Sequence, residues 1–264
     1  MQIIQSIILG IVQGASEFIP VSSSGHLLVA RKLLGMPLEG GLAFDAVLQL
    51  ATAGALVVYF RKDIMQLIVS FIALIRRKKV ETDQKTLLWA IILGSIPAVI
   101  FGLMLEKTMD TIFRNIHLVA YALIAGSFLF YTAERWGSQV KKLTIFRGVG
   151  IGLFQCLALI PGVSRSGATI SGGLFFGLTR SDASRFSFLL SAPILIGSGL
   201  KKLFEIIKIG ELHSVGIDLL CGSAVAFIVG YFAIDFLITY LKKNTLTVFI
   251  VYRVLFAFAL LFFM

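Results

Sequence analysis

From Thr86 to Leu105 the chain runs without a single charged side chain. As a helix, that stretch is long enough to cross roughly 30 Å of hydrocarbon. Further apolar runs occupy about 43–60, 116–133, 183–200, 215–237 and 246–263. Residues that are 58% apolar and only 14% charged leave too little polar surface for a water-soluble fold of this length. The expected class is therefore an all-α polytopic membrane protein with six transmembrane helices, forming one integral membrane domain over residues 1–264. The first apolar stretch lacks a basic leader and a small-residue cleavage signal and leads straight into polar residues, so it is expected to stay in the fold.

One apolar run is interrupted by Pro161-Gly162-Val163-Ser164-Arg165-Ser166-Gly167. Inside a membrane, an arginine and freed backbone groups are tolerated only where they face protein, water or a ligand. A partial copy lies 142 residues upstream, with Gly10, Gln13, Val21, Ser22, Ser24 and Gly25 matching Gly152, Gln155, Val163, Ser164, Ser166 and Gly167. In that register Ser23 stands opposite Arg165, Glu17 opposite Leu159 and His26 opposite Ala168. The two broken segments, about 2–34 and 145–177, read as re-entrant helix pairs related by an internal inverted repeat, which with the six crossings makes ten helices. The apolar stretch 64–75 is expected along the interface or as an extension of the preceding crossing.

Charge sets the orientation. Loops 61–85, 134–147 and 238–244 hold thirteen Lys or Arg, whereas 1–42, 106–115 and 201–214 hold seven. The richer set should face the cytoplasm, which puts both chain ends and the 106–115 loop outside. The net charge of +10 sits between apolar segments, where membrane orientation and anionic lipid account for it and nucleic acid does not. Under this topology the two hairpins enter from opposite sides and their tips meet within the bilayer. Cys156 and Cys221 read as small buried hydrophobes.

Each hairpin presents the N-terminus of a short helix just after its turn, where unpaired N–H groups favour an anion. Arg165 adds a planar fork suited to phosphate or carboxylate. Ser22, Ser24, Ser164, Ser166 and Thr169 add phosphate-binding hydroxyls, with helix capping as their alternative role. Glu17 and His26 beside Ser23 suit phosphoryl transfer. His26 is open as nucleophile, base, leaving-group acid or a packed histidine donating to a backbone carbonyl; Ser23 is a second candidate nucleophile, and direct attack by activated water is the alternative route. Asp45 and Gln49, four apart, share a face at the start of a crossing, and Asp45 is equally suited to capping there. His117 and His213 fall near segment boundaries.

The run from Gln13 to His26, together with Pro161–Gly167 and Thr169, resembles the bacterial undecaprenyl pyrophosphate phosphatase family, also called the bacitracin-resistance protein family. The resemblance extends over nearly the whole chain. It implies a bacterial cytoplasmic-membrane hydrolase, open to the outer side, that converts undecaprenyl diphosphate to the monophosphate for reuse in peptidoglycan synthesis. It further implies an acidic motif on Gln13 and Glu17, a serine-histidine motif on Ser22, Ser23 and His26, and a phosphate-binding motif on Ser164, Arg165, Ser166 and Thr169. A divalent cation, Mg2+ or Ca2+, goes with the family's activity. Gln13 stands where many members have Glu, so the metal residues, Glu17 and Gln13, provide one carboxylate, with water and substrate phosphates completing the shell. A homodimer is left open. The competing class is a secondary transporter or flippase for a polyprenyl phosphate or other anion, because inverted broken hairpins serve transport equally well.

Overall fold

The structure is a computed structural model that describes residues 3–36, 41–112, 115–138, 140–208 and 212–263, with side chains for all of these except 41–43, 106–112 and 212–215. The described residues are helical almost throughout. In chain order the α-helices are α1 (Ile3–Phe18), α2 (Ser23–Leu33), α3 (Gly41–Tyr59), α4 (Arg61–Ile75), α5 (Thr82–Ile112) and α6 (Ile116–Trp136). They continue as α7 (Ile145–Cys156), α8 (Arg165–Phe175), α9 (Arg180–Lys208), α10 (Leu212–Leu241) and α11 (Thr247–Phe263). A short 3-10 turn, Leu157–Leu159, extends α7.

The all-α, multi-pass reading holds. Four helical stretches are long and apolar enough to cross a membrane: Thr82–Leu105, Ile116–Trp136, Arg180–Lys208 and Gly216–Leu241. Two of the six expected crossings, near 43–60 and 246–263, instead fall in the shorter apolar helices Phe44–Tyr59 and Thr247–Phe263. The helix count among the described residues is eleven rather than ten, because the stretch after Phe60 forms a separate helix, α4, beginning at Arg61. Met65, Val69 and Ile75 on α4 are exposed, as expected for a helix against lipid or the interface. The expected loop 106–115 is also shorter, since α5 continues to Ile112; residues 113 and 114 lie outside the described residues. His117 is the second residue of α6, and the His213 side chain is outside the description.

The helix ends around the two breaks share one construction. Pro20 follows α1 and Pro161-Gly162 follows the 3-10 turn, so neither helix can continue. Ser22 and Ser164 then adopt positive φ, 77° and 75°, a left-handed conformation that is unfavourable for a residue with a Cβ. What holds them there is capping. Ser22 Oγ accepts from the Gly25 N–H at 3.4 Å, and Ser164 Oγ accepts from the Gly167 N–H at 3.3 Å. Ser22 with Ser24 and Ser164 with Ser166 each place their hydroxyls 3.2 Å apart.

Helix α1 packs along α10, and α7 packs along α5. Both contacts require a missing side chain: a Cβ on Gly10 would overlap the Gly222 carbonyl, and a Cβ on Gly152 would overlap the Gly94 carbonyl. Small residues that let backbones meet are the usual means of close helix packing where lipid removes the hydrophobic drive. Helices α3 and α9 pack together, α9 also covers α8, and α6 lies between α8 and α11. The largest buried apolar cluster includes Phe18, Phe60, Phe130 and Phe188, with Phe18 and Phe188 edge to face at 5.5 Å.

Candidate active site

Glu17 is the last turn's contribution from α1 and is 7% exposed. A buried carboxylate needs partners, and three surround it. Gln13, one helical turn earlier, donates from Nε2 to Glu17 Oε2 at 2.9 Å. The Ser23 hydroxyl, at the start of α2, donates to the same oxygen at 2.8 Å. Arg165, the first residue of α8, brings Nη2 to 3.2 Å from Oε1. The tips of the two hairpins therefore meet at Glu17.

This cluster forms part of the wall of a cavity of about 420 Å³, within the range of small-molecule sites. Glu17, Ser22, Ser23, Ser24, Ser164 and Arg165 line it. A second polar group comes from Arg31 on α2, Asp45 and Gln49 on α3, and Lys201 and Lys202 on α9. Arg31 grips Asp45 through two nitrogens, Nη2 to Oδ1 at 2.5 Å and Nε to Oδ2 at 3.2 Å. Asp45 and Gln49 thus do share the cavity, with Asp45 ion-paired. Between the polar groups the wall is apolar, formed by Ala98, Val99 and Leu103 of α5 and by Leu159 and Ile194.

Four of the sequence-predicted residues lie outside that wall. Gln13 sits behind Glu17, fully buried. Ser166 turns to Ser164, and Thr169 Oγ1 donates to the Arg165 carbonyl at 2.8 Å while meeting Ser187 Oγ on α9. His26 points away from Glu17. Its Nδ1 is 2.8 Å from the Ser22 carbonyl and its Nε2 is 2.7 Å from the Tyr252 hydroxyl, with the ring stacked on Phe256 at 4.3 Å. A neutral imidazole satisfies both contacts by donating from Nδ1 to the carbonyl and accepting the tyrosine proton at Nε2. Of the grouping of Glu17 and His26 beside Ser23 that suited phosphoryl transfer, only Glu17 and Ser23 come together here, because His26 enters the α2–α11 contact.

Arg253 on α11 had no role assigned from the sequence. It is fully buried and over the Phe130 ring at 4.6 Å. Its Nη2 donates to the carbonyls of Gly162 at 3.0 Å and Leu123 at 3.1 Å, and Nε donates to Ser127 Oγ at 3.2 Å; Nη1 makes a longer contact, 3.5 Å, to the Pro20 carbonyl. One guanidinium thereby ties the turns of both hairpins together. Its signal in the sequence is a lone arginine in an apolar run.

The residues that suit a hard divalent cation are Glu17 and Gln13. Among the described residues no cluster of three or more His, Cys, Asp or Glu is present. The Gln13 amide must turn its nitrogen to the carboxylate, which leaves Oε1 buried without a protein partner. The Glu17 carboxylate on the cavity wall suits a cation whose other positions come from water and phosphate, with the Gln13 oxygen behind it.

A family model described as "Bacitracin resistance protein BacA" matches residues 6–259, a span that includes both hairpins. The chain belongs to this family. It is 41% identical over 260 residues to an undecaprenyl-diphosphatase of Moorella thermoacetica, covering 97% of this chain and 96% of that protein. It is 42% identical over 259 residues to an undecaprenyl-diphosphatase of Trichlorobacter lovleyi, covering 96% and 94%. A protein of the same description from Corynebacterium striatum is 42% identical over 259 residues, covering 96% and 92%. The family match extends from the Glu17 cluster through the Arg253 anchor.

Proposed function

We propose that this protein hydrolyses undecaprenyl diphosphate to undecaprenyl phosphate and inorganic phosphate in the bacterial cytoplasmic membrane, returning the lipid carrier to peptidoglycan synthesis. The observation that carries the reading is the Ser23 hydroxyl bonded to a buried Glu17 that also faces Arg165, at a cavity whose remaining wall is largely apolar. A hydroxyl held by a base is an activated nucleophile. The apolar wall suits a prenyl chain, and the opposed starts of α2 and α8 suit the diphosphate.

In the route this geometry favours, Ser23 Oγ attacks the terminal phosphorus as its proton passes to Glu17. The bond from that phosphorus to the bridging oxygen breaks, and the lipid monophosphate leaves. Glu17 passes the Ser23 proton to the departing lipid monophosphate. Water then attacks phospho-Ser23, giving its proton to Glu17. As the Ser23 Oγ–phosphorus bond breaks, inorganic phosphate departs and Glu17 returns that proton to Ser23 Oγ. Arg165 supplies directed positive charge to the phosphoryl oxygens throughout; its Nη1, buried and without a protein partner, is free for this. Ser22, Ser24 and Ser164 line the phosphate end, while Ser166 and Thr169 brace the start of α8. His26 fixes the strained Ser22 turn through its carbonyl. A magnesium or calcium ion on Glu17 and the Gln13 oxygen would neutralise diphosphate charge.

The wider arrangement we propose is six crossings plus two re-entrant pairs, related by an inverted repeat within a single domain, with the cavity open to the outer face. The paired Ser22 and Ser164 caps and the paired contacts of Gly10 with Gly222 and of Gly152 with Gly94 support the repeat. The thirteen-to-seven distribution of Lys and Arg supports the orientation. Detergent-purified protein, with no membrane gradient, should release inorganic phosphate from undecaprenyl diphosphate. Absence of release from folded protein, with substrate movement in vesicles, would favour transport instead.

A further inference from the structure

Resting on the hydrolase reading above, we propose that Gln155 is a substrate-contacting residue that holds the inner phosphate, the one that stays on the prenyl chain. Gln155 lies in the last turn of α7, is 2% exposed and lines the cavity. Neither its Nε2 nor its Oε1 has a protein partner. Its counterpart in the first hairpin explains why this is unusual. Gln13 uses Nε2 on Glu17, one turn further along; one turn beyond Gln155 stands Leu159, which offers nothing to bond. A buried amide left unpaired on both sides is destabilising, so a polar group at this point in an apolar wall is best accounted for by a ligand.

The orphaned atoms of the cavity cluster agree in chemistry. Besides Gln155, the buried side-chain atoms without protein partners include Arg165 Nη1 and Gln13 Oε1. Arg165 stands at the Glu17–Ser23 end, where the terminal phosphate reacts. Gln155 shares the wall with the apolar Ala158 and Leu159 and with the polar Ser164 and Arg165 that follow it in the same segment, so polar and apolar surface meet along this stretch. A diphosphate headgroup joined to a hydrocarbon chain presents its inner phosphate at that boundary. The Gln155 Nε2 donates to an oxygen of this phosphate, and Oε1 accepts from water hydrating it.

This assignment separates substrate contact from a structural role. The Gln155→Met variant keeps the side-chain shape while removing two unpaired polar atoms, so the thermal transition in detergent should stay level or rise. The KM for undecaprenyl diphosphate and the inhibition constant of undecaprenyl phosphate should both rise at least about tenfold, whereas inhibition by inorganic phosphate stays unchanged. Gln155→Glu, which keeps hydrogen bonding but adds repulsion, should weaken both lipid constants further with the fold retained. Wild-type constants in either folded variant would overturn the assignment, and so would a lowered thermal transition in both variants. Wild-type protein from the same preparation is assayed first. Its failure to release phosphate counts against the hydrolase reading, whereas normal wild-type hydrolysis with unaltered Gln155 variants counts against this inference alone.

Discussion

Arg165 and Glu17 come from opposite hairpins and stand 3.2 Å apart. The reacting end of the cavity therefore exists only when both broken segments are in place. Each charge offsets the other's burial, and in the reaction proposed above an incoming phosphate would take up the guanidinium donors that Glu17 leaves free. Replacing Arg165 with lysine keeps the charge and loses the planar fork. Arg165→Lys should retain its thermal transition and lose at least about tenfold in kcat/KM, or roughly 1.4 kcal/mol of transition-state stabilisation. Arg165→Ala should lose more, with phosphate release and a non-hydrolysable diphosphate analogue as the readouts.

Glu17→Gln keeps an acceptor for Ser23 and removes the base. It should fold normally and hydrolyse at least about 100-fold more slowly, the usual scale of general acid-base contributions. Near-normal turnover would leave water or another group to activate the hydroxyl.

His26→Ala tests the packed orientation of the ring. Because both ring nitrogens are engaged by Ser22 and Tyr252, the loss should appear as a lowered thermal transition together with lowered turnover. Any phosphoenzyme trapped from wild type should be acid-stable phosphoserine. An acid-labile adduct on His26 would require the ring to leave its present contacts during turnover.

The unpaired Gln13 oxygen predicts a metal response that can be read without catalysis. Gln13→Glu exchanges the bond to Glu17 for a like-charge pair, which a divalent cation relieves. The thermal transition of this variant should fall in EDTA and rise with magnesium by more than that of wild type. Equal responses would remove Gln13 from the cation site.

Arg253 should matter to stability although it lines no part of the cavity. Arg253→Met leaves the Gly162 carbonyl without its donor, at about 1–3 kcal/mol for a group left dry, while the Leu123 carbonyl keeps the Ser127 hydroxyl. A lowered thermal transition is expected, with Arg253→Lys intermediate because a single ammonium cannot span the same acceptors.

Much of this architecture is written locally. Prolines that stop helices, serines that cap them and apolar runs without charge mark the two breaks at Pro20 and Pro161 and most of the long helices. That the two hairpin tips meet was expected from charge placement and the repeated motif; that they meet as a Glu17–Arg165 pair shows only in the fold. What depends on packing across the chain was not legible. The direction of the His26 ring is set by Tyr252 and Phe256, more than two hundred residues away in sequence. Thr169 shares the Arg165 motif yet turns to Ser187, because one helical turn carries it toward α9. Whether the stretch 64–75 continues the preceding crossing or stands apart was open in the sequence, and the break at Phe60 makes it a separate helix. Arg253 and Gln155 were visible as polar residues in apolar runs, but only the fold shows that one binds both turns and the other has no protein partner.

The central claim is that the Ser23 hydroxyl, held at 2.8 Å by Glu17, performs the attack. Its most direct test is the steady-state turnover of undecaprenyl diphosphate by purified, monodisperse Ser23→Ala protein beside wild type, with thermal transitions matched. Removing the nucleophile should lower kcat at least about 100-fold. Turnover within about threefold of wild type would contradict the account and leave direct attack by water as the chemistry of this site.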